Sequence, residues 1–382
     1  MKIAVAHHWL ERFTGGEKVV EEIISLYPDA PLYSLIYQPE NFQGTRIAER
    51  EVHTSFIQRL PWGKTKYRSY LPLMPVAIEQ FDLGEYDIIL SSCSFIAKGV
   101  LTRADQLHIS YVHTPVRYAW DLYHDYLRES NLDRGARGIL ARAVLHYIRM
   151  WDLQAASRVD VFLANSYNVA DRIRKTYRRD ARVIYPPVDV DRFNPERPRD
   201  DFYFTVSRLV PYKRIDLIVS AFNRLGLPLV VIGNGPERSR IESLAGPNVH
   251  LLGHQPDDVV TDHMERCKAF VFAADEDFGI VPVEAQAAGA PVIAYGRGGA
   301  LETVLHGKTG IHFPAQTEDS LIEAVKMVEQ GEVVFQAEMI RENAMRFSSA
   351  RFRQEYGTLV EQEWETFMQR RHARHTSNFV SI

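Results

Sequence analysis

Two glutamates that stand eight residues apart are the sharpest chemical signal in this sequence. Glu276 and Glu284 follow an apolar, β-rich run and have Gly279 between them. Carboxylates accept hydrogen bonds from sugar hydroxyls, and the amides of Gly279, Ile280 and Val281 at a predicted helix start can donate to phosphate or hydroxyl oxygens. As an alternative, Glu284 only complements the helix dipole. The run predicts a turn that binds a ligand carrying hydroxyls and phosphate.

Two cations five residues apart follow an earlier predicted strand. Arg208 and Lys213 lie on a loop that opens a helix, where a planar guanidinium and a compact ammonium could bracket a diphosphate. A turn that begins at Gly233 again follows a strand and opens a helix. A solvated loop with incidental cations is the alternative. These turns argue against a two-carboxylate glycosidase built on Glu276 and Glu284, because hydrolysis of a neutral glycoside needs no diphosphate site.

The first half of the chain offers one glycine turn and several histidines. Gly15 and Gly16 come between a predicted strand and a helix, where they let the backbone approach an anion closely, or form a plain turn. His113 follows a buried-looking strand and is a candidate site residue or a hydrogen-bonded core histidine. His7 and His8 are adjacent and have no cysteine partner at zinc-site spacing, so no metal site is predicted.

Short apolar runs alternate with helical patterns along the whole chain, which predicts parallel sheets covered on both faces. Two such series indicate two doubly wound, Rossmann-like domains, whose ligands bind at the carboxyl ends of the strands. The predicted strands are Lys2–Ala6, Asp87–Leu90, His108–Val112, Val159–Ala164, Asp201–Val206, Pro228–Ile232, Val249–Leu252, Ala269–Phe272 and Pro291–Ala294.

Clustered prolines between Tyr185 and Pro198 indicate a linker between the two series, or a surface loop within one large domain. We therefore predict an N-terminal domain over 1–188, a linker over 189–200 and a C-terminal domain over 201–350. A helix that packs back on the N-terminal domain, followed by a tail without clear pattern from Arg370, is expected over 351–382.

Composition excludes several classes of protein. The 382 residues suit about two domains, and 46% hydrophobic with 25% charged residues is a globular mixture. A net charge of −4 does not mark a nucleic-acid-binding protein. Two cysteines cannot form a disulfide framework. The opening residues are too polar for a signal-peptide core and no run is apolar enough for a membrane span, so a cytoplasmic location is expected.

Cations alternate with apolar side chains in two segments of the first half. One runs from Arg59 to Leu71 and includes Trp62, and the other runs from Arg134 to Arg149 without an acidic residue. This pattern suits a surface that rests on anionic lipid headgroups. An ordinary solvated helix face is the alternative.

Taken together, the turns resemble the family 4 retaining glycosyltransferases of the GT-B fold, in which two Rossmann-like domains face each other across a cleft. The spacing of Glu276 and Glu284 is the family's EX7E motif, and the resemblance covers most of the chain. The segment His113–Asp121 resembles bacterial mannosyltransferases that build O-antigen and exopolysaccharide. Asp277 and Arg214 stand where family members more often have glycine.

The resemblance implies roles for the second-half residues. Arg208 and Lys213 would hold the donor diphosphate and neutralise the leaving group. Glu276 would accept hydrogen bonds from donor-sugar hydroxyls, while the amides of Gly279, Ile280 and Val281 support the sugar and phosphate and Gly233 opens a further turn. Glu284 would bind the ribose hydroxyls, and the loop with Gly298 and Gly299 would support the site.

The resemblance also implies substrates and a location. His113 would lie near the transferred sugar, and Gly15 and Gly16 would let their domain close over the phosphates. The expected reaction moves mannose from GDP-mannose, as a co-substrate without further cofactor, to a lipid-linked oligosaccharide at the inner face of the cell membrane. A UDP-sugar donor, a nucleotide-sugar epimerase, a glycan phosphorylase and a non-catalytic membrane scaffold are the alternatives.

Overall fold

A computed structural model of the protein describes residues 1–379. It divides into two compact units: one comprises Met1–Tyr185 together with the chain from Phe352 onward, and the other comprises Pro186–Arg351. No helix within the described residues is long and apolar enough to cross a membrane.

The first unit is built on a seven-stranded, fully parallel sheet in the order β3-β2-β1-β4-β5-β6-β7. Continuous apolar runs form its central strands, and all five residues of β1 are buried, as expected for a sheet covered on both faces. Its strands are β1 Ile3–His7, β2 Leu32–Ser34, β3 Val52–Thr54, β4 Ile88–Cys93, β5 Leu107–Val112, β6 Val161–Ala164 and β7 Arg182–Val183.

Helices cover both faces of this sheet and form two large hydrophobic cores and a smaller one around α5 and β6. The α-helices are α1 Gly15–Leu26, α2 Met74–Glu79, α3 Tyr123–Glu129, α4 Gly135–Ser157 and α5 Tyr167–Tyr177, with α13 Ser349–Phe379 at the end of the chain. Short 3₁₀ turns lie at Pro39–Asn41, Arg46–Glu49, Phe56–Arg59, Tyr67–Leu73 and Ala97–Gly99.

The second unit contains a six-stranded parallel sheet in the order β10-β9-β8-β11-β12-β13. Its strands are β8 Tyr203–Val206, β9 Leu229–Ile232, β10 Val249–Gly253, β11 Ala269–Phe272, β12 Val292–Tyr295 and β13 Gly310–Phe313. Its helices are α6 Ile215–Leu225, α7 Arg238–Leu244, α8 Asp257–Arg266, α9 Ile280–Ala287, α10 Ala300–Thr303, α11 Glu318–Glu329 and α12 Ala337–Met345, with a 3₁₀ turn at Pro211–Lys213.

The prediction of two parallel α/β units is confirmed. The proline-rich segment predicted as a linker packs within the second unit: the amide of Asn194 donates to Glu265 Oε1 at 2.7 Å, and Arg197 forms ion pairs with Asp262 and Glu265.

The C-terminal helix α13 belongs to the first unit through its buried face, where Phe352, Tyr356 and Val360 join a core that includes residues of β1. The predicted patternless tail from Arg370 is helical as far as Phe379. Its last three residues, 380–382, lie outside the described residues.

Candidate functional site

The second unit has its topological switch point at β8, which pairs with β9 on one side and β11 on the other. In a doubly wound sheet the connections run in opposite directions from this point and leave a crevice at the carboxyl ends of the strands. The loop that carries Arg208 and Lys213 follows β8, and the loop that carries Glu276 follows β11. Both predicted ligand loops therefore leave adjacent strands at the same edge of the sheet.

Lys213 and Glu276 form an ion pair across this switch point. Their side chains are only 17% and 20% exposed. Burial lowers the pKa of Lys213 to about 8, so the ammonium form still predominates at neutral pH and the carboxylate neutralises it. The structure thus holds together a cation and an anion that the sequence analysis had assigned to diphosphate and sugar.

The start of helix α9 presents unpaired backbone donors next to Glu276. Gly279 has a φ of +83°, a left-handed conformation that favours glycine, and no side chain caps the helix. The first amides of a helix lack intrahelical acceptors, and Pro282 has no N–H. The N–H groups of Ile280 and Val281 are therefore suited to an anionic or hydroxylated ligand.

A glycine loop after β12 fixes the backbone around Glu276. The amide of Gly299 donates to the carbonyl of Glu276 at 2.8 Å. A Cβ on Gly298 would lie 2.3 Å from that same carbonyl oxygen, and one on Gly299 would lie 2.3 Å from Cα of Phe278. The predicted support loop thus contacts the Glu276 loop through backbone, in a space that only glycines fit.

Arg208 lies on the β8–α6 loop with its side chain exposed. The turn that begins at Gly233 packs against this loop, because a Cβ on Gly233, whose φ is +141°, would stand 1.8 Å from the carbonyl oxygen of Ser207. Gly233 is therefore required by the packing of two loops. No contact of its own with a ligand is needed to explain it.

Glu284 is buried on α9 and is contacted by a residue that the sequence analysis missed. Arg192 Nη2 lies 3.4 Å from Glu284 Oε1, with the two side chains 25% and 11% exposed. The guanidinium also stacks 4.5 Å from the ring of Phe193. Arg192 lies in the proline-rich segment that was predicted to be a linker. The sequence signal for its role was only that a cation lies close to the start of the second unit.

In the first unit, His113 is hydrogen-bonded to the end of β4. Its Nε2 lies 2.8 Å from Ser92 Oγ. Gly16, in the first turn of α1, packs beside it: a Cβ there would meet His113 Nε2 and His7 Cε1 at 3.8 Å, an ordinary contact. The protein itself therefore makes no steric demand for glycine at position 16, and Gly15 begins the same helix.

Two further polar residues of this region were missed as site residues. His7 Nε2 lies 3.3 Å from Glu17 Oε1, and both residues are buried. Together with His8 they offer three possible metal-ligand atoms within 4.8 Å of one another. The sequence analysis predicted no metal site here, because His7 and His8 are adjacent and have no cysteine partner at zinc-site spacing. The available signals were a histidine at the carboxyl end of the first strand and a glutamate in the first turn of α1.

A buried ion pair supports the segment that follows His113. Lys98 and Asp152 are both fully buried and paired. Asp152 Oδ2 also accepts hydrogen bonds from Trp120 Nε1 and from the hydroxyl of Tyr177, each at 2.9 Å. The pair therefore ties the His113–Asp121 segment to helices α4 and α5.

Two family profiles together match most of the chain. The profile described as "Glycosyltransferase Family 4" matches residues 14–192, and the one described as "Glycosyl transferases group 1" matches residues 189–347. The two matches meet where the first sheet ends and the second begins.

Individual relatives agree with these matches. The chain is 34% identical over 235 residues to a GDP-mannose-dependent alpha-(1-6)-phosphatidylinositol monomannoside mannosyltransferase of Mycobacterium tuberculosis, across 50% of this chain and 60% of the relative. Among solved structures it resembles the apo form of the lipopolysaccharide outer core galactosyltransferase WaaB, with a TM-score of 0.67 and 18% identity over 95% of this chain and all of that one. It also resembles Anabaena Alr3699/HepE in complex with UDP-glucose, with a TM-score of 0.66 and 18% identity over the same shares.

Proposed function

This chain belongs to the family 4 glycosyltransferases with the GT-B fold, and we propose that it moves a hexose, with retained configuration, from a nucleotide sugar to a lipid-linked or polysaccharide-precursor acceptor. The second unit would bind the donor and the first unit the acceptor. Such a reaction would serve the synthesis of a cell-surface glycan such as lipopolysaccharide or exopolysaccharide.

One observation carries the donor-site assignment: the Lys213–Glu276 pair at the switch point of the second sheet, beside the uncapped start of α9. A diphosphate needs a cation and backbone donors, and a sugar needs a hydrogen-bond acceptor. Lys213 and the first amides of α9 meet the first requirement and Glu276 meets the second. All of them lie in the segments that follow the neighbouring strands β8 and β11. In this proposal no side chain acts as a covalent nucleophile, and catalysis would rest on positioning and on stabilising the charge of the departing diphosphate.

GDP-mannose is the donor that we propose. Its support is the name of the mycobacterial relative, of which the matched stretch spans 60%, together with the resemblance of the His113–Asp121 segment. A UDP-sugar is the second candidate, because the structural neighbour HepE was solved with UDP-glucose. In either case Glu284, oriented by Arg192, would accept the ribose hydroxyls.

A nucleotide panel tests the donor site. Thermal unfolding of the protein is measured with GDP, UDP, ADP, CMP and dTDP, since a ligand at 100 times its dissociation constant adds about 2.7 kcal/mol to the free energy of unfolding. We expect GDP alone to raise the Tm, and Lys213→Ala to abolish the rise. The matched control is Lys308→Ala, an exposed lysine of the same unit, which should leave the rise intact. A rise with UDP alone would overturn the sugar assignment, and no rise with any nucleotide would overturn the donor site.

The first unit exposes an apolar and basic surface that supports a membrane-bound acceptor. Ile139 and Leu140 on α4 are 70% and 66% exposed, and Trp62 is 71% exposed. Lys66 lies 5.5 Å from the Trp62 ring, and Arg137 on α4 is also exposed. Amphipathic surfaces of this kind insert apolar side chains at the headgroup level while cations contact anionic lipid.

Flotation with vesicles tests this surface. Vesicles that contain anionic phosphatidylglycerol should retain the protein in a salt-sensitive manner, and vesicles of phosphatidylcholine alone should not. Leu140→Glu should reduce the retained fraction, whereas Val334→Glu, at an even more exposed apolar position of the second unit, should not. If both variants were retained equally, α4 would not be part of the membrane-binding surface.

A further inference from the structure

A chain of hydrogen-bonded residues, in which His7, Glu17 and Ser92 are buried, lies at the switch point of the first sheet, where β1 pairs with both β2 and β4. Thr14 donates from its amide to Glu17 Oε2 at 2.9 Å. Glu17 Oε1 lies 3.3 Å from His7 Nε2, and His7 Nδ1 lies 3.1 Å from the carbonyl oxygen of Ser92. Ser92 Oγ in turn lies 2.8 Å from His113 Nε2.

The partners along this chain fix where the protons lie. A carbonyl oxygen only accepts, so His7 Nδ1 carries a hydrogen toward Ser92. Nε2 of the same ring faces Glu17 Oε1, and a hydrogen between these two atoms joins the ring to the carboxyl group. The hydrogen bonds and charge of His7, with the hydroxyl of Thr14, lower the pKa of Glu17 even though burial, the largest effect, raises it. His7 and Glu17 thus form a buried, hydrogen-bonded pair.

His113 stands at the other end of the chain as a neutral ring. Burial and the charge of His7 lower its pKa to about 3. Its Nε2 is engaged by Ser92 Oγ, whereas Nδ1 makes no hydrogen bond to any described residue and the side chain is partly exposed. The ring is therefore held by one nitrogen and offers the other to a ligand.

We propose that Glu17 and His7 are positioning residues for His113, acting through Ser92, so that Nδ1 of His113 meets a hydroxyl of the reacting sugars. This rests on the transferase function proposed above. Carboxylate–histidine pairs commonly fix the orientation and tautomer of a ring, and here the pair reaches the functional histidine through one serine. Neither His7 nor Glu17 contacts substrate in this scheme.

Glu17→Gln is the informative variant. A glutamine oxygen can still accept from the Thr14 amide, as glutamine does in a capping box, but it removes the charge that faces His7. The matched control is Glu22→Gln on the same helix, which removes the ion pair of Glu22 with Arg353 and leaves the chain of contacts intact.

Two readouts test the proposal. Nitrogen-15 NMR of the histidine rings, assigned with His7→Asn and His113→Asn, should show a single tautomer of the neutral His113 ring in the wild type and in Glu22→Gln, and a mixture of both tautomers in Glu17→Gln. Release of nucleotide from the donor should have a kcat about 10- to 100-fold lower in Glu17→Gln and in Ser92→Ala, with KM for the donor changed by no more than about twofold.

Either of two results would overturn the proposal: a single His113 tautomer that persists in Glu17→Gln, or a kcat that falls equally in Glu17→Gln and Glu22→Gln. Stoichiometric zinc that is released only when Glu17 is replaced would overturn it in favour of a metal site on His7, His8 and Glu17. If the wild type uses no nucleotide sugar, the transferase function fails, and the NMR result still decides whether the pair holds His113.

Discussion

Replacing Glu276 by glutamine should tighten the binding of a free nucleoside diphosphate and at the same time slow sugar transfer. The wild-type carboxylate pairs with Lys213, so a diphosphate that binds Lys213 must separate the pair and then lie beside a second anion. Glutamine keeps the size of the side chain and removes its charge. The same change removes the charged acceptor proposed for the donor-sugar hydroxyls, so the two effects have opposite signs.

The magnitude follows from the exposure of the pair. Two unit charges 4 Å apart interact by about 1 kcal/mol at the dielectric constant of water and by about 4 kcal/mol at an effective value of 20. With Lys213 and Glu276 17% and 20% exposed, the repulsion removed is about 1.5–2.5 kcal/mol, or roughly 10- to 60-fold in dissociation constant. Loss of a hydrogen bond to a charged acceptor costs about 1.5–3 kcal/mol, which lowers turnover roughly 10- to 150-fold.

Isothermal titration calorimetry at about pH 7 measures the first effect, because Lys213, with a pKa of about 8, is then mostly protonated. Titrations at two salt concentrations should show the gain shrinking as screening increases. The control is Glu242→Gln, which removes an exposed carboxylate of the same unit. An affinity in Glu276→Gln equal to or below that of the wild type, with the control unchanged, would refute the idea that Glu276 competes with the diphosphate.

Four further outcomes are expected. Lys98→Met should lower the free energy of unfolding in urea by about 3–5 kcal/mol, because it leaves Asp152 buried without its cation; an unchanged denaturation midpoint would contradict this. Burial holds the pKa of His108 at about 3, so unfolded chains bind its proton first and stability should fall as pH drops below about 6.5, by up to about 1.4 kcal/mol per pH unit; a His108→Gln variant should show a shallower slope. Gly233→Ala should lower the Tm, since its Cβ would lie 1.8 Å from a neighbouring carbonyl oxygen, whereas Gly331→Ala, with nothing within 4 Å, should lower it only slightly. Chelation with EDTA should leave nucleotide release unchanged, because the proposed donor contacts use side chains and amides; loss of activity that zinc or magnesium restores would contradict this.

Much of the fold could be predicted from the sequence because its central strands are continuous apolar runs. Such runs can be recognised without knowledge of the tertiary structure. The strands that were missed are the short ones at or near the sheet edges: β2 and β3 have three residues each, β7 has two, and the edge strand β13 has four. Segments of two or three residues are too short to show a periodic pattern of apolar side chains. Their strand pairing is set by the neighbouring strand.

Residues of the candidate site could be predicted where they lie in the turn directly after a strand. Lys213 and Glu276 were each identified from the turn that follows an apolar run, and the structure pairs them because β8 and β11 are neighbours. His7 and Glu17 were not, because their pairing depends on how strand β1 meets helix α1. Arg192 was hidden in a proline-rich segment whose packing against the second unit no local pattern reveals.

Each unit places a pair of ionisable side chains beside its topological switch point, and the environment of each pair decides what it can do. The His7–Glu17 pair is 0% and 5% exposed and both side chains make further hydrogen bonds within the protein, so separating them would leave several buried groups unpaired. The Lys213–Glu276 pair is partly open to solvent, and an incoming diphosphate can replace the carboxylate while sugar hydroxyls satisfy it. The first pair is therefore suited to hold a neighbouring ring in place, and the second is suited to exchange its partner for a substrate.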